Sequence, residues 1–193
     1  MTTARRAARS KRFGQSALAT PANFLTLGRI LVAVPTFLVM HDGGSSWPAV
    51  ALWFAITATD SVDGWLARRD GATRSGAFLD PVADKVVVLG GMAALATRDE
   101  LWWWAVALIG VREVGISLYR SVAVRRGVAL PAQRLGKYKA FLQYCAVGFV
   151  VLPLTADLVG FQQAVLLAAT SLTVASGLQI LRRGYLDWQR VEP

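Results

Sequence analysis

The chain reads as all-α: an integral membrane bundle of six transmembrane helices with both termini in the cytoplasm. Three observations predict it. Hydrophobic residues make up 54% of the 193 positions and charged residues only 17%, and the mean hydropathy is +0.43. That is too apolar for a soluble domain of this length. Six apolar segments follow one another, bounded by polar or glycine-rich breaks, and the strand alternation of a membrane barrel is absent. Lys and Arg gather in alternate connections, as the positive-inside rule expects of a polytopic protein.

The predicted helices are approximately 22–40, 48–68, 76–97, 101–120, 138–156 and 160–181. The second and third carry acids at their facing ends, so hydropathy alone underrates them. Trp102, Trp103 and Trp104 open the fourth and suit an aromatic belt at one membrane interface. The N-terminal tail holds Arg5, Arg6, Arg9, Lys11 and Arg12, and the 69–75 loop holds Arg69 and Arg74. Four more cations fall in 121–137, and Arg182, Arg183 and Arg190 follow the sixth helix. The other connections hold only Arg98, beside Asp42, Asp99, Glu100 and Asp157. Both termini and the connections after helices two and four are therefore expected on the cytoplasmic side. Residues 1–20 form a basic cytoplasmic segment, 21–183 the transmembrane domain, and 184–193 a short cytoplasmic tail.

A net charge of +9 suggests nucleic acid when the protein is soluble. In a membrane chain the expected partners are anionic lipid headgroups or a phosphate-bearing substrate, and no nucleic acid. The one cysteine, Cys145, rules out an internal disulfide and reads as a packing residue. His41, alone in a short polar connection, is given no role. No cleavable signal is expected, since no apolar core with a small-residue cleavage site follows the basic tail.

The stretch "TATDSVDGWLARRDGATRSGAFLDPVADKVVVLGG" at 57–91 places acids at the edges of two membrane segments. Asp60, Asp63, Gly64 and Ala67 follow the spacing of one helical face, as do Gly76, Asp80 and Asp84. A seven-residue loop after Arg68 would fold the two helices back as neighbours, so the four carboxylates converge on one seam. Gly64 and Gly76 leave room there for a ligand. Four like charges in a poorly hydrated site require a cation, and Lys85 alone cannot balance them. Oxygen-only donors favour hard divalent ions, Mg²⁺ or Mn²⁺. Carboxylates around two such ions suit displacement at phosphorus. The spacing alone leaves open a cation path through the membrane.

These residues resemble the CDP-alcohol phosphatidyltransferase family, whose pattern is D-x2-D-G-x2-A-R-x8-G-x3-D-x3-D. Asp60, Asp63, Gly64, Ala67, Arg68, Gly76, Asp80 and Asp84 match all its fixed positions, with one residue fewer between Arg68 and Gly76. "PANFLTLGRI", with Asn23, Thr26 and Arg29, looks like the start of the family's first helix. "VREVGISLYR" and "LGKYKAFLQ" resemble the branch that makes phosphatidylglycerophosphate. Similarity covers roughly residues 20 to 155.

The resemblance implies a six-helix fold in the cell inner (plasma) membrane, with the active site facing the cytoplasm. It implies two divalent ions, held by Asp60, Asp63, Asp80 and Asp84, with Asp84 the general base. CDP-binding falls to Asp60, Asp63, Gly64, Ala67, Arg68 and Gly76. The implied reaction passes phosphatidyl from CDP-diacylglycerol to sn-glycerol 3-phosphate. The family alternative is a cardiolipin synthase with phosphatidylglycerol as acceptor; a different class is a non-catalytic cation-conducting or scaffold protein. A homodimer is a candidate state from the family, although no motif here encodes one. Cations outside the motif bear on the acceptor. Arg112, with Glu113 beside it, lies midway through an apolar run, and Arg120 lies close to the same face. Lys137 and Lys139 begin the fifth helix near Arg134. Arg112, Arg120, Lys137 and Lys139 together would form a recess for the acceptor's phosphate. Free glycerol and inositol have no phosphate for it to hold.

Overall fold

The computed structural model describes residues 21–70, 74–125 and 134–191, with side chains placed for 24–59, 81–123 and 135–184. Among the described residues there are six α-helices and no strand: α1 (Pro21–Gly43), α2 (Trp47–Asp70), α3 (Arg74–Ala96), α4 (Trp103–Arg125), α5 (Arg134–Val151) and α6 (Val159–Val191). A single 3-10 turn, Pro153–Thr155, joins the last two.

Helix ends differ from the sequence expectation in ways that local chemistry accounts for. The polar residues from Arg68 to Ser75 contain no helix breaker except Gly71, so α2 runs to Asp70 and α3 starts at Arg74. Only 71–73 separate them, where a seven-residue loop was expected. α5 starts at Arg134 and stops at Val151, because Pro153 disfavours helical backbone in the residue before it. His41 lies in the last turn of α1 rather than in a connection, its Nδ1 2.9 Å from Thr97 Oγ1. α6 has 33 residues, about 50 Å of helix, which outruns the ~30 Å hydrocarbon core. The segment expected as a tail thus continues that helix through Val191.

Packing follows an up-and-down order. α1 lies against both α2 and α3, α6 against α4 and α5, and α5 touches α2 and α3 across the middle. Contacts between α2 and α3 are sparse among the described residues. The core is built from Met40, Trp53, Ile56, Met92, Leu95, Ile109, Val147 and Leu166, with buried alanines among them. Glycines admit large neighbours: the Phe37 ring of α1 occupies the space that a Cβ on Gly90 of α3 would fill.

One end of the bundle is tied by main-chain contacts. Gly44, at φ +55°, closes α1 with its N–H on the Met40 carbonyl. Ser46 N donates to Val151 O at 3.0 Å, Arg98 Nη1 to His41 O at 2.7 Å, and Gln163 Nε2 to Glu100 O at 2.9 Å. The first, third and fifth connections are therefore gathered there. α2 and α4 end, and α3 and α5 begin, at the other end, towards which the charged side chains of α3, α4 and α5 are displaced.

Two helices are long and apolar enough to cross a membrane by length and composition, within Phe24–Gly43 and Val159–Gly184. α2 through α5 carry the ionic residues that lower their hydropathy, and those residues build the site described next.

Candidate active site

Asp84 and Lys85 sit in the third turn of α3, past Pro81, whose carbonyl accepts a hydrogen bond from Lys85 Nζ at 3.1 Å. They form one wall of a cavity of about 260 Å³. α4 supplies Arg112, Glu113, Ser117 and Arg120 to it, and α5 supplies Lys137 and Lys139. Ser176 of α6 completes the inner side. Among the described residues, five cations thus face two carboxylates around one space.

Glu113 organises the inner half. It is 8% exposed, and its Oε1 accepts hydrogen bonds from Arg112 Nη1 at 2.9 Å and from Lys139 Nζ. Arg112 Nη2 donates to Ser176 Oγ at 2.7 Å, and Ser176 in turn donates to the Thr173 carbonyl. Close approach of α6 depends on Gly177, where a Cβ would lie 3.0 Å from Arg112 Nε. A buried ion pair is kept only when its geometry is good and its other donors are satisfied. Here one carboxylate compensates two cations and leaves a surplus of positive charge. Two buried donors of the cavity lining have no partner among the described residues: Arg112 Nε and Arg120 Nε. Buried unpaired N–H groups beside a cavity whose described lining is net positive suit an anionic ligand.

Asp84 is held from the other side. The Tyr144 hydroxyl of α5 donates to its Oδ1. Sequence reasoning missed this tyrosine, which lies in an apolar run with no spacing signal of its own. Ser176 was missed too, because it falls beyond the stretch that carries the resemblance.

Of the candidate site residues, Asp84, Arg112, Arg120, Lys137 and Lys139 line the one cavity. Asp60, Asp63, Gly64, Ala67 and Arg68 belong to the second half of α2, and Gly76 and Asp80 to the first two turns of α3. Their side chains lie outside the described residues, as do Asn23 and Arg134. Thr26 and Arg29 are buried on α1.

Among the described residues no three His, Cys, Asp or Glu side chains group so as to hold a metal ion. Asp84 is the one member of the aspartate set that falls among them. The donor chemistry nonetheless fits a hard divalent cation. The set is oxygen-only, its Asp60–Asp63 and Asp80–Asp84 pairs keep i, i+3 and i, i+4 registers on continuous helix, and the described member is a carboxylate oriented by a neutral donor.

A family model described as CDP-alcohol phosphatidyltransferase matches residues 19–175. A Mycobacterium tuberculosis protein named "Probable phosphatidylglycerophosphate synthase" is 41% identical over 181 residues, covering 90% of this chain and 86% of that one. The Bacillus subtilis CDP-diacylglycerol–glycerol-3-phosphate 3-phosphatidyltransferase is 33% identical over 182 residues, 84% of this chain and 94% of its own. The protein of that name from Shigella flexneri is 35% identical over 173 residues, covering 84% and 93%. The chain belongs to the CDP-alcohol phosphatidyltransferase family.

Proposed function

With that membership as premise, we propose that the protein transfers the phosphatidyl group of CDP-diacylglycerol to sn-glycerol 3-phosphate, giving phosphatidylglycerophosphate and CMP. The observation that supports the choice of acceptor is the cavity beside Asp84, where the described residues set five cations against two carboxylates. A phosphomonoester brings up to two negative charges into such a space, and a phosphodiester lipid brings one. Arg112 and Arg120 provide unpartnered N–H donors for it, and Lys137 and Lys139 add point charge.

In the reaction the acceptor's hydroxyl oxygen forms a bond to the phosphorus that bears diacylglycerol. The bond from that phosphorus to the CMP oxygen breaks, and the hydroxyl proton passes to Asp84. Asp60, Asp63, Asp80 and Asp84 would hold two divalent ions, Mg²⁺ or Mn²⁺. Bound there, such ions supply charge stabilisation to the pyrophosphate and to the leaving phosphate. Gly64, Ala67, Arg68 and Gly76 take the cytidine nucleotide in this reading. All six helices span the inner membrane, with the Lys- and Arg-rich end of the bundle and the cavity on the cytoplasmic side, where water-soluble glycerol 3-phosphate arrives.

Purified protein incubated with CDP-diacylglycerol, Mn²⁺ and each acceptor in turn tests this, with the lipid identified by mass. Phosphatidylglycerophosphate is expected from glycerol 3-phosphate, and nothing from free glycerol or inositol. Cardiolipin from phosphatidylglycerol, with no product from glycerol 3-phosphate, would replace this reading by a cardiolipin synthase. No CMP with any acceptor would favour a non-catalytic membrane protein.

A further inference from the structure

Tyr144 lines one cavity and reaches a residue on the wall of another. Its ring lines an apolar groove of about 520 Å³ between α2 and α5, and its hydroxyl donates to Oδ1 of Asp84 on the wall of the charged cavity. The ring is fixed in turn by Trp53 of α2. Their centroids are 5.6 Å apart with planes inclined by 41°, and Trp53 Nε1 donates to the Tyr144 carbonyl at 3.3 Å. Trp53 is 5% exposed and is seated over Gly91 of α3, where a Cβ would approach the indole to 3.0 Å. Three helices are thereby linked through one aromatic pair that ends on a carboxylate oxygen.

An aspartate's second torsion is broad, so its own covalent geometry does not fix the plane of the carboxylate. A general base needs that plane aimed at the proton it takes, and small misplacements are costly to rate. Resting on the proposed function, we infer that Tyr144 is a positioning residue, which with Trp53 behind it sets the orientation of the Asp84 carboxylate towards the acceptor hydroxyl. It acts through Asp84 and touches no reacting atom.

Tyr144→Phe removes the hydroxyl and keeps the ring, which separates aim from packing. CMP release by wild type and variant is measured in detergent micelles with Mn²⁺ while each substrate is varied. The expected result is a kcat lowered roughly ten- to hundredfold, with both KM values and the unfolding temperature changed little. Trp53→Phe, which loses the indole N–H, should lower kcat in the same direction by less. A Tyr144→Phe kcat within about twofold of wild type would overturn the inference. So would a loss of rate explained entirely by a raised KM or a lowered unfolding temperature. The wild-type arm isolates the premise. If it works only with an acceptor other than glycerol 3-phosphate, the acceptor assignment fails while the Tyr144→Phe ratio on that acceptor still decides the role of the hydroxyl. No CMP from wild type with any acceptor overturns both.

Discussion

Helix α5 walls two cavities of opposite character. Towards α2 its residues Phe141, Cys145, Gly148 and Phe149 face Val50, Trp53 and Phe54 across an apolar groove of about 520 Å³. Towards α4 its Lys137 and Lys139 face Arg112, Glu113 and Arg120 across about 260 Å³. The groove needs no polar partner, because its lining loses nothing in a hydrocarbon surrounding. In the charged cavity the inner ions are held by polar partners: Glu113 between Arg112 and Lys139, Ser176 behind Arg112, Tyr144 on Asp84. Charge in an apolar bundle therefore concentrates where several helices can supply partners at once. That concentration lowers the hydropathy of the helices bearing it, while α1 and α6 stay apolar enough to pass as membrane spans.

The sharpest way to break the contrast is to remove charge from the acidic set. Asp60→Asn, Asp63→Asn or Asp80→Asn should abolish CMP release while the helical circular dichroism of the purified protein stays that of wild type. Asp84→Asn should lower kcat about 10²-fold or more, with less loss of CDP-diacylglycerol affinity than Asp60→Asn shows. EDTA should silence the wild type, and Mg²⁺ or Mn²⁺ should restore it. Full turnover in any of the first three variants would remove that residue from the metal site.

Glu113 tests the compensation within the basic half. Glu113→Ala leaves Arg112 and Lys139 side by side and buried, and should cost about 3–5 kcal/mol of stability, read by thermal or denaturant unfolding in detergent. Glu113→Gln keeps the shape and one acceptor and should cost less. Equal stability of Glu113→Ala and wild type would mean that the cluster is solvated rather than mutually compensated.

Much of this contrast is legible in the chain before folding. The apolar runs announce six helices, and the D-x2-D-G and D-x3-D spacings mark α2 and α3 through helical register alone. Arg112 and Glu113 stand out because ions midway through an apolar run are costly without partners. The partners themselves are tertiary. Ser176 reaches Arg112 across 64 positions of sequence, and Tyr144 reaches Asp84 across 60. Neither has a local pattern, since a serine in an apolar helix or a tyrosine among phenylalanines serves equally as packing. Helix ends were blurred for a local reason: Arg69, Asp70, Arg74 and Ser75 look like loop by polarity but are compatible with helix by propensity. Polarity and helix termination are separate signals, and only glycine and proline carry the second strongly.

At the small end of the scale, Cys145→Ala alters the groove alone. It should change stability by less than about 1 kcal/mol and leave the KM for glycerol 3-phosphate where it was. A changed acceptor KM would show that the two cavities are not independent.

The central claim is that the cations of the smaller cavity hold the acceptor's phosphate, and Arg112→Ala tests it most directly. The KM values for glycerol 3-phosphate and CDP-diacylglycerol are measured side by side in wild type and variant, with the unfolding temperature as a check on folding. The account predicts a rise of about tenfold or more in the KM for glycerol 3-phosphate, as loss of a charge-assisted phosphate contact implies, and little change for CDP-diacylglycerol. An unchanged KM for glycerol 3-phosphate, or a larger rise for CDP-diacylglycerol, would contradict it.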